Sequence, residues 1–287
     1  MDIIIGGILL GGTYALMALG LQLQYGVARI MNLANGEILV AGAFGAFWFY
    51  SGFQVRPFLA IILIVPLAFI LNWVIYHYLL TPLVRRAKSR GQLEVDSILA
   101  TFGMSFIFVG LMLAVFGGEY FSYSYLERAV FVFEQPYGLN RIAAFCASVA
   151  ICIALVVWLS HTRSGLALRA VAVNPTAASL VAIKVARTSA LAFAIGGAVT
   201  ASGGALLSMF LTFDASIGVI FTLKALIIVI LGGVGEIRGT VAAAFLLGLA
   251  ETAVASLVDP GLTLAAAYLL FIIVLLVRPQ GLFGSRS

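Results

Sequence analysis

An all-α fold, a polytopic transmembrane helix bundle of about eight to ten membrane segments with some broken or re-entrant, is predicted by three observations. The 287 residues are 63% hydrophobic and only 9% charged, whereas a soluble domain carries about 25% charged residues. Apolar runs of about 20 residues alternate with short polar loops, which suits helices rather than barrel strands that alternate over about 10 residues. Two runs are interrupted in the same way, by Arg29-Ile-Met-Asn-Leu-Ala-Asn-Gly-Glu37 and by Gly232-Gly-Val-Gly-Glu-Ile-Arg-Gly239, and both breaks contain Gly-Glu-Ile. Irregular backbone at membrane depth must be buried in protein or line a wet cavity. Glycine-interrupted segments in matching halves therefore point to a path through the membrane. The length leaves no room for a separate soluble domain, so residues 1–287 read as one membrane domain.

In chain order, the first span covers 3–24, and its Met1-Asp2-Ile3 start lacks the basic region of a signal peptide, so it is expected to be retained. A short span, 36–50, follows the first break, and 57–79 is a full one. Loop 80–97 carries Arg85, Arg86, Lys88 and Arg90. After span 98–116, loop 117–140 has Glu119, Glu127 and Glu134 against Arg128, with Tyr120, Phe121, Tyr123 and Tyr125 suited to a membrane interface. Span 141–160 contains Cys146 and Cys152 on different helix faces, which implies no disulfide or metal framework. Loop 161–187 has Arg163, Arg169, Lys184 and Arg187 and no acid. Spans 188–211, 217–233, 240–258 and 261–277 complete the chain, and Arg278 and Arg286 follow.

The positive-inside rule puts loops 80–97 and 161–187 and the C-terminus in the cytoplasm and loop 117–140 outside. Nine full spans place the N-terminus outside, and eight place it inside. The net charge of +5 is explained by these topology determinants, with no call for nucleic acid. Small residues at Gly7 and Gly11, Gly42 and Ala46, Gly196 and Gly197, and Gly204 and Ser208 suit close helix packing.

Loop 161–187 is too polar to span and too apolar for a linker. Asn174 followed by Pro175 is a helix start, Asn as N-cap and Pro in the first turn. A helix over about 175–183 would place Ala178, Val181 and Ala182 on one face. Such a helix either rests on lipid headgroups or docks in a partner's groove.

Several stretches, in order, resemble one family, the inner-membrane permeases of branched-chain amino acid type ABC importers. GGTYALMALGLQLQYGVARIMNLANGE is similar to the family segment ending in N-F-A-H-G-E. LRAVAVNPTAASLVAIKVARTSALAFAIGGAVTASGGALL resembles its coupling loop and the helix after it. TLKALIIVILGGVGEIRGTVAAAFLLGLAE resembles its K-A…G-G-x-G-S-x-x-G-A region, and LVRPQGLFG is also family-like. Asn35 stands where the family has His, and Glu236 where it has Ser. Ala182 replaces the usual Gly before Ile183, a change expected to matter little. The resemblance implies a second related permease, two cytosolic ATPases that bind the ATP, and a periplasmic solute-binding protein. It implies branched-chain amino acids as solute, with urea, other amides or small carboxylates as alternatives. It also makes 161–187 a coupling loop that meets an ATPase through Arg169, Asn174, Pro175, Ala178, Val181 and Ala182.

Charges at membrane depth cost roughly 2.5–3.5 kcal/mol each on insertion scales. Asn32, Asn35, Gly36, Glu37 and Glu251 are the candidates for the solute path, because the amides both donate and accept and Gly36 opens the backbone. Glu37 has a second reading as a group capping the helix after it. Glu251, inside an apolar run, is expected to face the bundle interior, toward a helix partner or a solute. Lys224 is expected to snorkel outward. Gly232, Gly233, Gly235 and Glu236 form the second break, which reads either as part of the path or as a cytosolic turn in which Glu236 and Arg238 pair. The sequence contains no phosphate-binding loop, no nucleophile elbow and no dense His or carboxylate cluster. No catalytic residue, metal site or cofactor is expected in this chain. The alternative to an ABC permease is a stand-alone carrier or channel using Glu37 and Glu251 as ion sites.

Overall fold

A computed structural model describes residues 2–132, 135–278 and 280–283. Glu134 and Arg286, two of the charges used for topology, lie outside the described residues. The elements are α1 (Asp2–Ala28), α2 (Asn35–Phe53), α3 (Pro57–Ile75), α4 (Thr81–Arg86), α5 (Arg90–Phe116), β1 (Ala129–Val132), β2 (Gln135–Gly138), α6 (Leu139–His161), α7 (Arg163–Val173), α8 (Pro175–Leu180), α9 (Val185–Leu207), α10 (Gly218–Gly232), α11 (Ile237–Leu257) and α12 (Thr263–Val277). Among the described residues, seven helical stretches are long and apolar enough to cross a membrane. They are α1, α3 continued by α4, α5, α6, α9, α11 and α12. With α2 and the shorter α10, a helix stands at each of the nine expected spans.

The helices α1 to α5 overrun the apolar runs that announced them. A π turn at Tyr76–Leu80 joins α3 to α4, next to Pro82, which has no N–H to offer the ladder. The Ser89 hydroxyl caps α5 by accepting the Gln92 N–H at 3.2 Å. Loop 80–97 therefore shrinks to the few residues between Arg86 and Arg90. Hydropathy ends at the lipid edge, but backbone hydrogen bonding does not, so charged residues continue a helix into water.

Two further elements were not expected. Residues 163–173 form α7, started by the Thr162 hydroxyl accepting the Gly165 N–H at 3.1 Å. The loop between α5 and α6 contains the antiparallel hairpin β1–β2.

α1 and α9 form the centre, and small residues set their contacts. At Gly7 and Gly11 a side chain would collide with Leu249 and Phe245 of α11, and at Gly248 with Gly7 and Gly11 in return. Gly20 of α1 and Gly196 of α9 abut each other's backbone carbonyls. Gly42 lies against Ala201, and Gly204 against Leu39, which joins α2 to α9. Close approach of backbones substitutes here for the hydrophobic force that lipid removes. The outer helices turn Leu67, Phe106, Ile153 and Leu276 outward, as a lipid-facing surface requires.

One end of the bundle carries the loop after α5. The Tyr137 hydroxyl donates to Asp2 at 2.6 Å, and the Tyr50 hydroxyl to the Ser124 carbonyl at 3.0 Å. Tyr123 and Ser208 share a 2.9 Å hydrogen bond. Phe121 and Phe213 exchange backbone hydrogen bonds of 2.8 and 3.0 Å. The interface role expected for this loop's aromatic residues fits Tyr120, which is exposed. Phe121, Tyr123 and Tyr125 instead fold inward against Phe44, Phe47, Tyr50 and Phe58. Burial pushes the Tyr123 hydroxyl up to about 12. α7, α8 and the end of α10 lie at the opposite end, where the Leu282 N–H donates to the Leu231 carbonyl at 2.7 Å.

Candidate functional site: a junction of two helix starts

α1 runs away from the Tyr137 end and stops at Ala28. The chain then turns back into the bundle before α2 begins at Asn35. The Asn35 side chain donates to the carbonyl of Met17, well back along α1. α9 runs the other way, ending beside Tyr123, and after an irregular stretch at 208–217 α10 begins at Gly218. α10 has only 15 residues, about 22 Å at the helical rise, against a hydrocarbon core of about 30 Å. The starts of α2 and α10 meet, for a side chain at Gly36 would overlap the Gly218 carbonyl and the Thr222 hydroxyl. Two long helices of opposite direction, each followed by a broken stretch and a second helix, with the two second helices starting at a shared point, form the inverted arrangement that transporters place around a substrate site.

Side chains replace the missing helical ladder across 29–34. The Met31 and Leu33 N–H groups donate to the Ser97 and Thr101 hydroxyls of α5 at 3.3 and 3.0 Å. Asn32 accepts the Ala34 N–H at 3.0 Å and donates to Gln24 at 2.9 Å, and Gln24 donates to the Phe193 carbonyl at 3.2 Å. Asn35 accepts the Thr200 hydroxyl at 3.0 Å. Thr222 accepts the Gly36 N–H at 2.8 Å and donates to the Leu33 carbonyl at 3.1 Å. Each bond settles a group that lipid would leave unpaired at a cost of about 1–3 kcal/mol.

Asn32, Asn35 and Glu37 are fully enclosed, at 0% exposure. In this conformation they line no open surface. The amides bridge α1, α9 and the break. Glu37 differs, because neither of its carboxylate oxygens has a hydrogen-bond partner. It does not cap α2 through a hydrogen bond: the N-cap position is Ala34, and no side chain caps it. Glu37 sits in the first turn of α2 and faces Gly218 at the start of α10, so the positive ends of two helix dipoles lie beside one carboxylate.

Lys224 does not snorkel outward. It is 8% exposed, and its ammonium donates to Glu251 and to the Tyr14 hydroxyl, both at 2.8 Å. Tyr14 in turn donates to the same Glu251 oxygen at 2.8 Å. This is the only ion pair among the described residues, and it joins α1, α10 and α11. Glu251 faces the interior as expected, and its partner is a helix. It shares no hydrogen bond with Asn32, Asn35 or Glu37.

The second glycine-rich break is a turn between α10 and α11. Gly232 ends α10 and abuts Gly239, while Gly233 and Gly235 take φ of 99° and 91°, which other residues rarely adopt. Glu236 is exposed on the turn and Arg238 in the first turn of α11, and the two do not pair with each other. The counterpart of the first break is therefore 208–217, not 232–239. Gly218, Thr222, Thr200 and Gln24 are the junction residues that sequence reasoning missed. Lone polar residues in apolar runs were the available signal.

At the far end, Asn174 caps α8 by accepting the Thr176 and Ala177 N–H groups at 3.0 and 3.1 Å, with Pro175 in the first turn. α8 stops at Leu180, short of 183. Ala178 is buried against the bundle and does not share a face with Val181. Val173, Leu180 and Val181 face outward, at 84%, 84% and 70% exposure, and Arg169 is exposed, donating to the Ser160 carbonyl at 3.2 Å. Ala182 takes φ of 62°, a left-handed conformation, so the change from Gly matters more than expected.

Residues 3–277 match the family described as the permease component of branched-chain amino acid transport systems. The chain is 27% identical to the high-affinity branched-chain amino acid transport system permease protein LivH of Escherichia coli K12, over 97% of this chain and 93% of the relative. Identity to BraD, the corresponding permease protein of Pseudomonas aeruginosa, is 27% over 98% and 94%. A probable LivH of Methanocaldococcus jannaschii is 26% identical over 97% and 91%. Among solved structures, PsaBC from Streptococcus pneumoniae in complex with Fab is similar in fold, with a TM-score of 0.50 and 10% identity over 99% of this chain and 94% of that one.

Proposed function

Because the chain belongs to the family of branched-chain amino acid transport permease components, it is a multi-pass inner-membrane transport subunit, and we propose that it carries branched-chain amino acids or related small polar solutes inward. The energy comes from ATP bound and hydrolysed by partner subunits, since the chain has no phosphate-binding loop of its own. Its partners are a second related permease, two cytosolic ATPases and a periplasmic binding protein that selects the solute. The α7–α8 end and the C-terminus face the cytoplasm.

The observation that carries this reading is the buried meeting of α2 and α10 at Gly36 and Gly218. The solute path runs beside this junction. Asn32, Asn35, Gly36 and Glu37 belong to the segment that rearranges as access alternates, and Glu251 holds the helices that frame it. The ATPase docks on the exposed apolar residues of α7–α8, flanked by Arg163 and Arg169.

The test is uptake of labelled leucine into vesicles holding the whole assembly. Uptake is expected only with the binding protein outside and ATP at the ATPase face. Uptake by this chain alone in ATP-free vesicles overturns the reading in favour of a carrier driven through its carboxylates. A thermal-shift screen of the binding protein against leucine, urea, amides and short carboxylates identifies the solute.

A further inference from the structure

We infer that Arg29 is a positioning residue that ties the ATPase-docking helices α7–α8 to the re-entrant segment. This rests on the reading of α7–α8 as the ATPase contact. Arg29 is the first residue after α1, and its N–H still donates to the Tyr25 carbonyl at 3.1 Å. Its φ of 58° lies in the left-handed region that glycine adopts freely. An arginine held there has a use for its side chain. The guanidinium Nη2 donates to the Ala172 carbonyl at 3.0 Å. Ala172 is in the last turn of α7, two residues before the Asn174 cap of α8. The Arg29 Nε is buried without a partner.

The side chain thus joins the cytosolic helices to the chain that carries Asn32, Asn35 and Gly36. Beyond Arg29 the segment is held by side chains, the hydroxyls of Ser97, Thr101 and Thr222 and the amides of Asn32 and Asn35, not by a helical ladder. A displacement of α8 is delivered through Ala172 and Arg29 to this segment. From there it reaches the Gly36–Gly218 junction.

The experiment compares Arg29→Gly and Arg29→Lys in the complete, vesicle-reconstituted assembly. Glycine relieves the backbone conformation while removing the link, so a purely structural role predicts parental coupling in whatever assembly forms. The expected result is preserved assembly and basal ATP hydrolysis, with leucine moved per ATP hydrolysed falling tenfold or more. Arg29→Lys, which keeps the charge and stem, is expected to recover part of that ratio. A parental ratio in Arg29→Gly overturns the inference. Should Arg29→Gly lower assembly, Arg29→Lys decides: a reduced ratio supports the link, and a parental ratio overturns it. Failure of the ATPase-contact reading is distinguishable, because there the parent chain itself shows no ATP-dependent uptake.

Discussion

Ala182 follows the last turn of α8 with its N–H donating to the Ser179 carbonyl at 3.2 Å, while the Ile183 N–H reaches the Ala178 carbonyl at 3.2 Å. This is a left-handed helix end, where glycine is usual. Ala182→Gly is expected to raise stability by about 1 kcal/mol, read as a higher melting temperature in detergent. An unchanged or lower value removes the strain argument. Lys224 and Glu251 pose the opposite case, since removing one partner leaves the other charge buried and alone. Lys224→Met is expected to lower stability by about 3–5 kcal/mol, and adding Glu251→Gln to recover most of that. A double variant no better than the single one shows that the pair is not coupled. The sequence marked Glu251 as inward-facing, because a carboxylate in the middle of an apolar run has nowhere else to go. It misplaced Lys224, because a long side chain near a span end is compatible with both directions and only the position of α11 decides between them.

Among the elements, the nine apolar runs were legible from hydropathy, and the Asn174-Pro175 start of α8 from capping chemistry. The second re-entrant break was not. Residues 232–239 share glycines and a tripeptide with the first break, yet they form a turn whose positive φ values require glycine. The true counterpart, 208–217, looks like the tail of one span and the head of the next. The face of α8 was also misjudged, because the helix ends at Leu180 and Ala178 packs into the bundle's apolar core. Docking on the outward residues predicts that Leu180→Asp weakens association with the ATPase by tenfold or more while membrane insertion is unchanged, measured by co-purification from equal membranes. Undiminished association assigns that surface to lipid headgroups.

On the scale of the whole molecule, the start of α1 and the loop after α5 share one end, and Leu282 and α7–α8 share the other. If the α7–α8 end faces the cytoplasm, as proposed, the start of α1 at the opposite end is predicted to lie outside. In a chain with Cys146 and Cys152 replaced by alanine, a cysteine at the exposed Phe131 is expected to react with an impermeant thiol reagent on intact cells, and one at Val173 only after lysis. The reverse pattern inverts the topology.

The sequence by itself determined the class, the positions of the apolar runs and the location of the first break, because lipid penalises every unpaired polar group and so writes its demands into composition and run length. Tertiary structure alone decided which break pairs with which, what Lys224 holds and which face of α8 is free. Those depend on helices far apart in sequence meeting at particular glycines, and small residues state that a close contact exists without naming its partner.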